Sequence, residues 1–104
     1  MITSTSNFIA GKEVKKTIGI VKGNTIRARH IGRDITAVFK NMVGGEIEEY
    51  TKLMAEAREQ ASDRMVQRAE ELGANAVIDV RFTTSYIMGQ AAEVLAFGTA
   101  VVVE

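Results

Sequence analysis

The stretch EIEEYTKLMAEAREQASDRMVQRAEELGANAVIDVRFTTSY, residues 46–86, changes its hydrophobic period partway along, and that change decides the fold. From Glu46 to about Leu72 the apolar residues Ile47, Tyr50, Leu53/Met54, Ala57, Ala61, Met65, Ala69 and Leu72 recur in steps of three and four, which predicts one long amphipathic helix. Glu46, Glu48 and Glu49 fall in its first turn, where carboxylates suit the positive end of the helix dipole, and Glu48 stands four residues before Lys52. Gly73 takes the place of the left-handed residue that closes a helix. Beyond it the period is two. Ala76, Ile78, Val80, Phe82 and Tyr86 alternate with Asp79, Arg81, Thr83 and Ser85, the pattern of a strand with one buried face.

Outward from this stretch, Met88, Gly89 and Gln90 make a short connection into EVLAFGTAVVV, residues 93–103, which is apolar on both faces. Leu95, Phe97, Val101 and Val103 lie on one side of that strand, and the smaller Val94, Ala96, Gly98, Ala100 and Val102 on the other. Upstream, Val14 to Val21 reads as a strand. Gly23-Asn24 is either a two-residue hairpin turn into a second strand, Thr25 to Ala28, or part of one bent strand. A short amphipathic helix with Ile35, Val38, Phe39 and Met42 on one face follows, and Gly44-Gly45 ends it. The expectation is a single α+β domain over residues 1–104: a β-α-β-β subunit whose small, largely antiparallel sheet packs on one long helix, with a short helix before it.

Composition narrows the function classes. The chain has 104 residues, 46% of them hydrophobic, with 13 Lys and Arg against 13 Asp and Glu, so it is neither a disordered tail nor a strongly basic nucleic-acid binder. It has no Cys, which excludes disulfides, thiolate metal sites and cysteine nucleophiles. No apolar run approaches the roughly 18 residues of a membrane span, and MITSTSNFIAGK lacks the features of a secretory signal, so a cytoplasmic protein is expected. The zero net charge is unevenly distributed. Residues 1–45 carry eight Lys or Arg and two acids, net +6, and residues 46–104 carry five against eleven, net −6. A basic β-rich segment facing an acidic helix, within one subunit or across a ring, predicts salt-sensitive assembly.

Two magnitudes argue that the chain associates with itself. The long helix spans about 40 Å at 1.5 Å per residue, whereas a compact domain of this length is about 34 Å across. One helix also covers only one face of a sheet, and the last strand is apolar on both. An uncovered Val101-Val102-Val103 would invite aggregation, so a second copy is expected to cover the second face and pair the sheet edges, or else the amino-terminal hairpin buries the small side chains of that face in a monomer.

The ordered set GIVKGNTIRARHIGRDI (19–35), VGGEIEEY (43–50), LGANAVIDVRFTTS (72–85) and FGTAVVV (97–103) resembles the YbjQ-like family of small prokaryotic proteins over nearly the whole chain. The resemblance implies a dodecin-like β–α–β–β subunit assembled as a homopentamer, with pentamers stacking into a decamer, and a largely uncharacterised family that carries a heavy-metal-binding label. Relatives often have Arg after the glycine pair, where this chain has Glu46, so an anion-binding role of that position does not carry over.

The residues themselves offer two candidate sites. For a divalent or soft metal ion the donors are His30 with Asp34, four residues on, joined by copies from neighbouring subunits. Soft metals prefer thiolate or imidazole, and one His without Cys is fewer than a metal site normally uses. For a small ligand, Arg27, Arg29 and Arg33 with the Gly44-Gly45 turn and Tyr50 make a basic constellation suited to an anion between subunits, or to intersubunit salt bridges with the acidic helix. No phosphate-loop, dinucleotide or nucleophile-elbow motif is present, so no catalytic residue is assigned, and an enzyme would need an active site built at an interface. The expected function is metal or small-ligand binding at subunit boundaries, with a purely structural ring as the alternative.

Overall fold

The computed structural model describes residues 1–28, 44–87 and 91–104. Its elements run β1 (Ile2–Thr3), β2 (Val14–Ala28), α1 (Gly44–Glu71), β3 (Ala76–Ile87) and β4 (Ala91–Val103). The sheet order is β1-β3-β4-β2, with both long pairings antiparallel and the two-residue β1 parallel to β3, so the sheet is mixed. β1 was not foreseen, because two residues carry no periodicity. The short helix expected around Ile35–Met42 and the connection 88–90 lie outside the described residues.

α1 forms where the spacing places it. Ala57, Ala61, Met65 and Ala69 are fully buried against the sheet, and Met54 and Val66 pack beside them. Leu72 departs from the predicted stripe: it lies past the last helical residue and is 56% exposed. The helix closes as Gly73 predicts. Gly73 has φ +88°, its N–H donates to the Glu70 carbonyl (3.0 Å) and the Ala74 N–H donates to the Ala69 carbonyl (3.0 Å), the paired bonds of a Schellman motif. α1 begins at Gly44, two residues ahead of the expected start at Glu46, and the helix that Gly44-Gly45 is expected to end lies outside the described residues.

No hairpin turn occurs at Gly23-Asn24; β2 is one 15-residue strand paired with β4 from Val14↔Val103 to Ala28↔Ala91. Its glycine serves the helix rather than a turn. A Cβ on Gly23 would run into the Ala61 carbonyl and the Met65 amide, so α1 rests directly on the strand there. The small-residue face of β4 meets the helix, with Val94, Ala96 and Ala100 buried in the same cluster as Ala61 and Met65.

The alternation expected along β3 breaks at Asp79. This residue has φ +54°, and the register slips between Ile78↔Thr99 and Arg81↔Phe97, three steps on β3 against two on β4. The bulge moves Val80 to the helix side with Val77, while Ala76 and Ile78 stay on the opposite side with Val101 and Val103. Asp tolerates the left-handed conformation better than the β-branched residues around it.

The amino-terminal segment seals one end of the second face. Its Ser4 N–H donates to the Val77 carbonyl (2.9 Å), and the Val80 and Asp79 N–H groups donate back to the Ser4 and Ser6 carbonyls (2.9 and 3.0 Å), following the bulge. Ile9 then packs on Ala76, Ile78, Val101 and Val103. The carboxy-terminal valines are therefore covered from within the subunit at that end. Asn75 completes the closure: its side-chain amide donates to the Val103 carbonyl (2.8 Å) and accepts from the Val103 N–H (2.7 Å), standing in for a strand residue.

The farther half of that face is bare. Ile20 is 74% exposed and Ile26 57%, and by register they flank half-buried Phe97 and Leu95 on β4. On the helix side, α1 lies along β2 and leaves the end of β3 open, with Phe82 and Tyr86 exposed.

Candidate functional site

Arg27 is the predicted ligand residue whose surroundings the structure describes. It pairs in register with Ala92, which is buried on the helix side of the sheet, so the pleat sends Arg27 towards α1. One terminal nitrogen of its guanidinium donates to the Gln60 side-chain carbonyl (2.9 Å), while Nε is buried without a partner. Two residues earlier on the same face, Thr25 is 3% exposed and its hydroxyl is likewise unpartnered. Buried N–H and O–H groups are normally satisfied, so two unpaired groups on alternate positions of one strand mark a place where an acceptor is wanted.

The open side is a groove of about 560 Å³ lined by Arg27, Lys52, Glu56, Glu59, Gln60 and Asp63. Lys52, Glu56, Glu59 and Asp63 recur at steps of three and four on one flank of α1, which aligns them along the groove. A half-buried guanidinium between an acidic flank and a sheet can hold an anionic or hydrogen-bond-accepting group, or a chain segment from a neighbouring subunit. The sequence reading missed the wall that α1 supplies. Its signal is the period of the charged residues on the helix, which becomes meaningful once Arg27 is known to point at that helix.

The other predicted residues are divided. Tyr50 lies in α1 ten residues before Gln60, about 15 Å along the axis. Gly44 and Gly45 lie farther along the same helix still. Arg29, Arg33, His30 and Asp34 lie outside the described residues. Among the described residues no three His, Cys, Asp or Glu side chains come close enough to hold a metal ion. Met54 and Met65 are packed into the core. With one His and no Cys in the chain, the donor set does not fit a soft-metal centre within one subunit. No helix among the described residues is long and apolar enough to cross a membrane.

A family model, that of YbjQ, described as "Putative heavy-metal-binding", matches residues 1–104. Among similar proteins, a UPF0145 protein of Halorubrum lacusprofundi is 58% identical over 101 residues, 97% of both chains. One from Dehalococcoides mccartyi is 56% identical over 104 residues and the full length of each. One from Methanosarcina acetivorans is 54% identical, covering 97% of this chain and 95% of that one. A crystal structure of a protein of unknown function from Pediococcus pentosaceus, placed in the DUF74 family, superposes with a TM-score of 0.67 over 100% of this chain and 98% of that one at 16% identity. That likeness concerns the fold.

Proposed function

The chain belongs to the YbjQ family, and from that premise we propose that it works as a self-assembling ring, a homopentamer able to stack into a decamer, that binds a small ligand where subunits meet, with Arg27 as the anchoring cation. The observation that carries the assembly is the bare half of the sheet on the face away from α1, where Ile20 and Ile26 stand exposed beside half-buried Leu95 and Phe97. The subunit is also drawn out, with a radius of gyration of 16.7 Å and extents of 51 × 23 × 15 Å. A compact domain of about 100 residues has a radius near 13 Å. A thin two-layer subunit with an open face, on which Ile20, Ile26, Leu95 and Phe97 surround Lys22 and Asn24, gains by setting those apolar residues against another copy.

Arg27, whose Nε has no partner, lines the groove and supports a ligand there. The heavy-metal reading has the family description in its favour, and in a ring it would rest on symmetry-related copies of His30 and Asp34. The absence of Cys speaks for the small-ligand reading.

Native mass spectrometry of the purified protein tests both halves, because it gives the number of subunits and the mass of any retained ligand together. Loss of a co-purified mass in Arg27→Gln, with the ring intact, supports the ligand site. Calorimetric titration with Zn, Cu and Ni addresses the metal. A heat that disappears in His30→Ala would replace the small-ligand reading with the metal one.

A further inference from the structure

A second groove lies farther along α1, beyond the Arg27 groove and over the edge of β2, and it carries an excess of positive charge. About 310 Å³ in volume, it is lined by Lys22, Asn24, Arg64, Gln67, Arg68 and Glu71. Arg64 and Arg68 stand four residues apart on α1 and so lie one above the other, an arrangement of like charges that disfavours the helix slightly. Arg64 is fixed in place, its guanidinium donating to the Asn24 carbonyl at 2.6 Å. Neither it nor Arg68 nor Lys22 is in an ion pair among the described residues, where Lys15–Glu13 is the ion pair formed. Three cations against the Glu71 carboxylate leave a net charge of +2 at one place, although the chain as a whole is neutral.

A second cavity of about 220 Å³ shares Lys22, Arg68 and Glu71 with the first, and its remaining walls are apolar: Ile20, Val21 and Leu72. Leu72 is the residue whose exposure broke the predicted helical stripe, and Ile20 is the most exposed large hydrophobic residue of the described chain. The cationic and apolar halves thus meet at Arg68.

We infer that this paired groove binds a small organic anion with a doubly charged phosphate head and an apolar body. The head lies between Arg64, Arg68 and Lys22, where its charge matches the local excess. Guanidinium groups suit it because their forked N–H donors fit phosphate oxygens. The body lies against Leu72, the exposed apolar wall that the subunit contact through Ile20 does not use, removing apolar surface from water. Glu71 at the junction opposes the bound charge and sets the affinity below what three cations alone would give.

The test is calorimetric titration of the intact protein at low ionic strength with inorganic phosphate and with monobutyl phosphate, using butanol and chloride as controls. Monobutyl phosphate is expected to bind with a Kd below about 1 mM. Inorganic phosphate is expected to bind several-fold more weakly, and butanol not at all. Arg68→Gln, which removes no contact seen within the subunit, weakens both phosphates by about tenfold. Glu71→Gln tightens both by about threefold, a gain that loss of folding cannot mimic. Absence of heat from either phosphate at about 10 mM, or equal binding by wild type and Arg68→Gln, would overturn the site. Equal affinity for the two phosphates would overturn its apolar half. Arg27 does not line this groove, so a phosphate heat lost in Arg27→Gln and kept in Arg68→Gln would belong to the Arg27 site and overturn this one, which keeps the two sites distinguishable.

Discussion

Three single residues fix the contacts that the fold depends on most closely. Gly23 is where helix backbone meets strand backbone, and a methyl group there has nowhere to go. Gly23→Ala is expected to lower the unfolding free energy by about 3 kcal/mol in denaturant titration, the scale of an overpacked core. Asn75 holds the last strand by two side-chain bonds to Val103, and Asn75→Ala should cost about 2 kcal/mol in the same measurement. Asp79, at φ +54°, directs the pleat of β3. Asp79→Val, which puts a β-branched residue into that conformation, should cost about 1–2 kcal/mol, whereas Asp79→Asn should be close to neutral. Legibility differs among the three. Gly23 could be seen as special, but Gly-Asn is compatible with both a hairpin turn and one bent strand, because nothing in the sequence shows the helix lying above it; the continuous strand is the one that forms. Asn75 and Asp79 act through partners more than twenty residues away or in the amino-terminal segment, which no local pattern reveals.

At the scale of elements, the long helix and the two-faced last strand were legible because burial repeats along them. Ala57, Ala61, Met65 and Ala69 come at steps of four, and the alternating large and small residues of β4 sort onto opposite faces as the sequence implies. Met65 is the largest of the fully buried side chains in the helix stripe, so Met65→Ala is expected to destabilise by about 3 kcal/mol, read as a shift of the denaturant midpoint at constant slope. What was not legible is how elements meet. The bulge reverses the phase of β3 after Ile78, and the parallel pairing of Ile2–Thr3 beside Ala76–Val77 needs a partner distant in sequence. The candidate site shares this limit. Arg27 was identifiable as a cation, but Gln60, Glu56 and Asp63 become its neighbours only when α1 crosses β2.

For the whole molecule, the charge division along the chain and the bare apolar face give opposite expectations. If the basic segment and the acidic helix hold subunits together, assembly weakens as salt is raised. If Ile20, Ile26, Leu95 and Phe97 hold them, it does not. Within the described residues, Arg27 and Arg64 spend their bonds on Gln60 and on a backbone carbonyl rather than on carboxylates, and the ion pair Lys15–Glu13 is exposed. Exposed pairs contribute little. The apolar face therefore predicts an assembly that persists in about 1 M NaCl, where the Debye length falls to about 3 Å.

The most direct measurement is the solution mass of wild type and of the double variant Ile20→Asp, Ile26→Asp, by size-exclusion chromatography with light scattering. Both positions are exposed within the subunit, so the variant should keep its far-ultraviolet circular dichroism. Wild type is expected as a single multiple of the 11.3 kDa chain, and the variant as a folded 11.3 kDa monomer. A wild-type protein that runs as a stable 11.3 kDa species at micromolar concentration, or a variant that assembles as wild type does, would contradict association through this face.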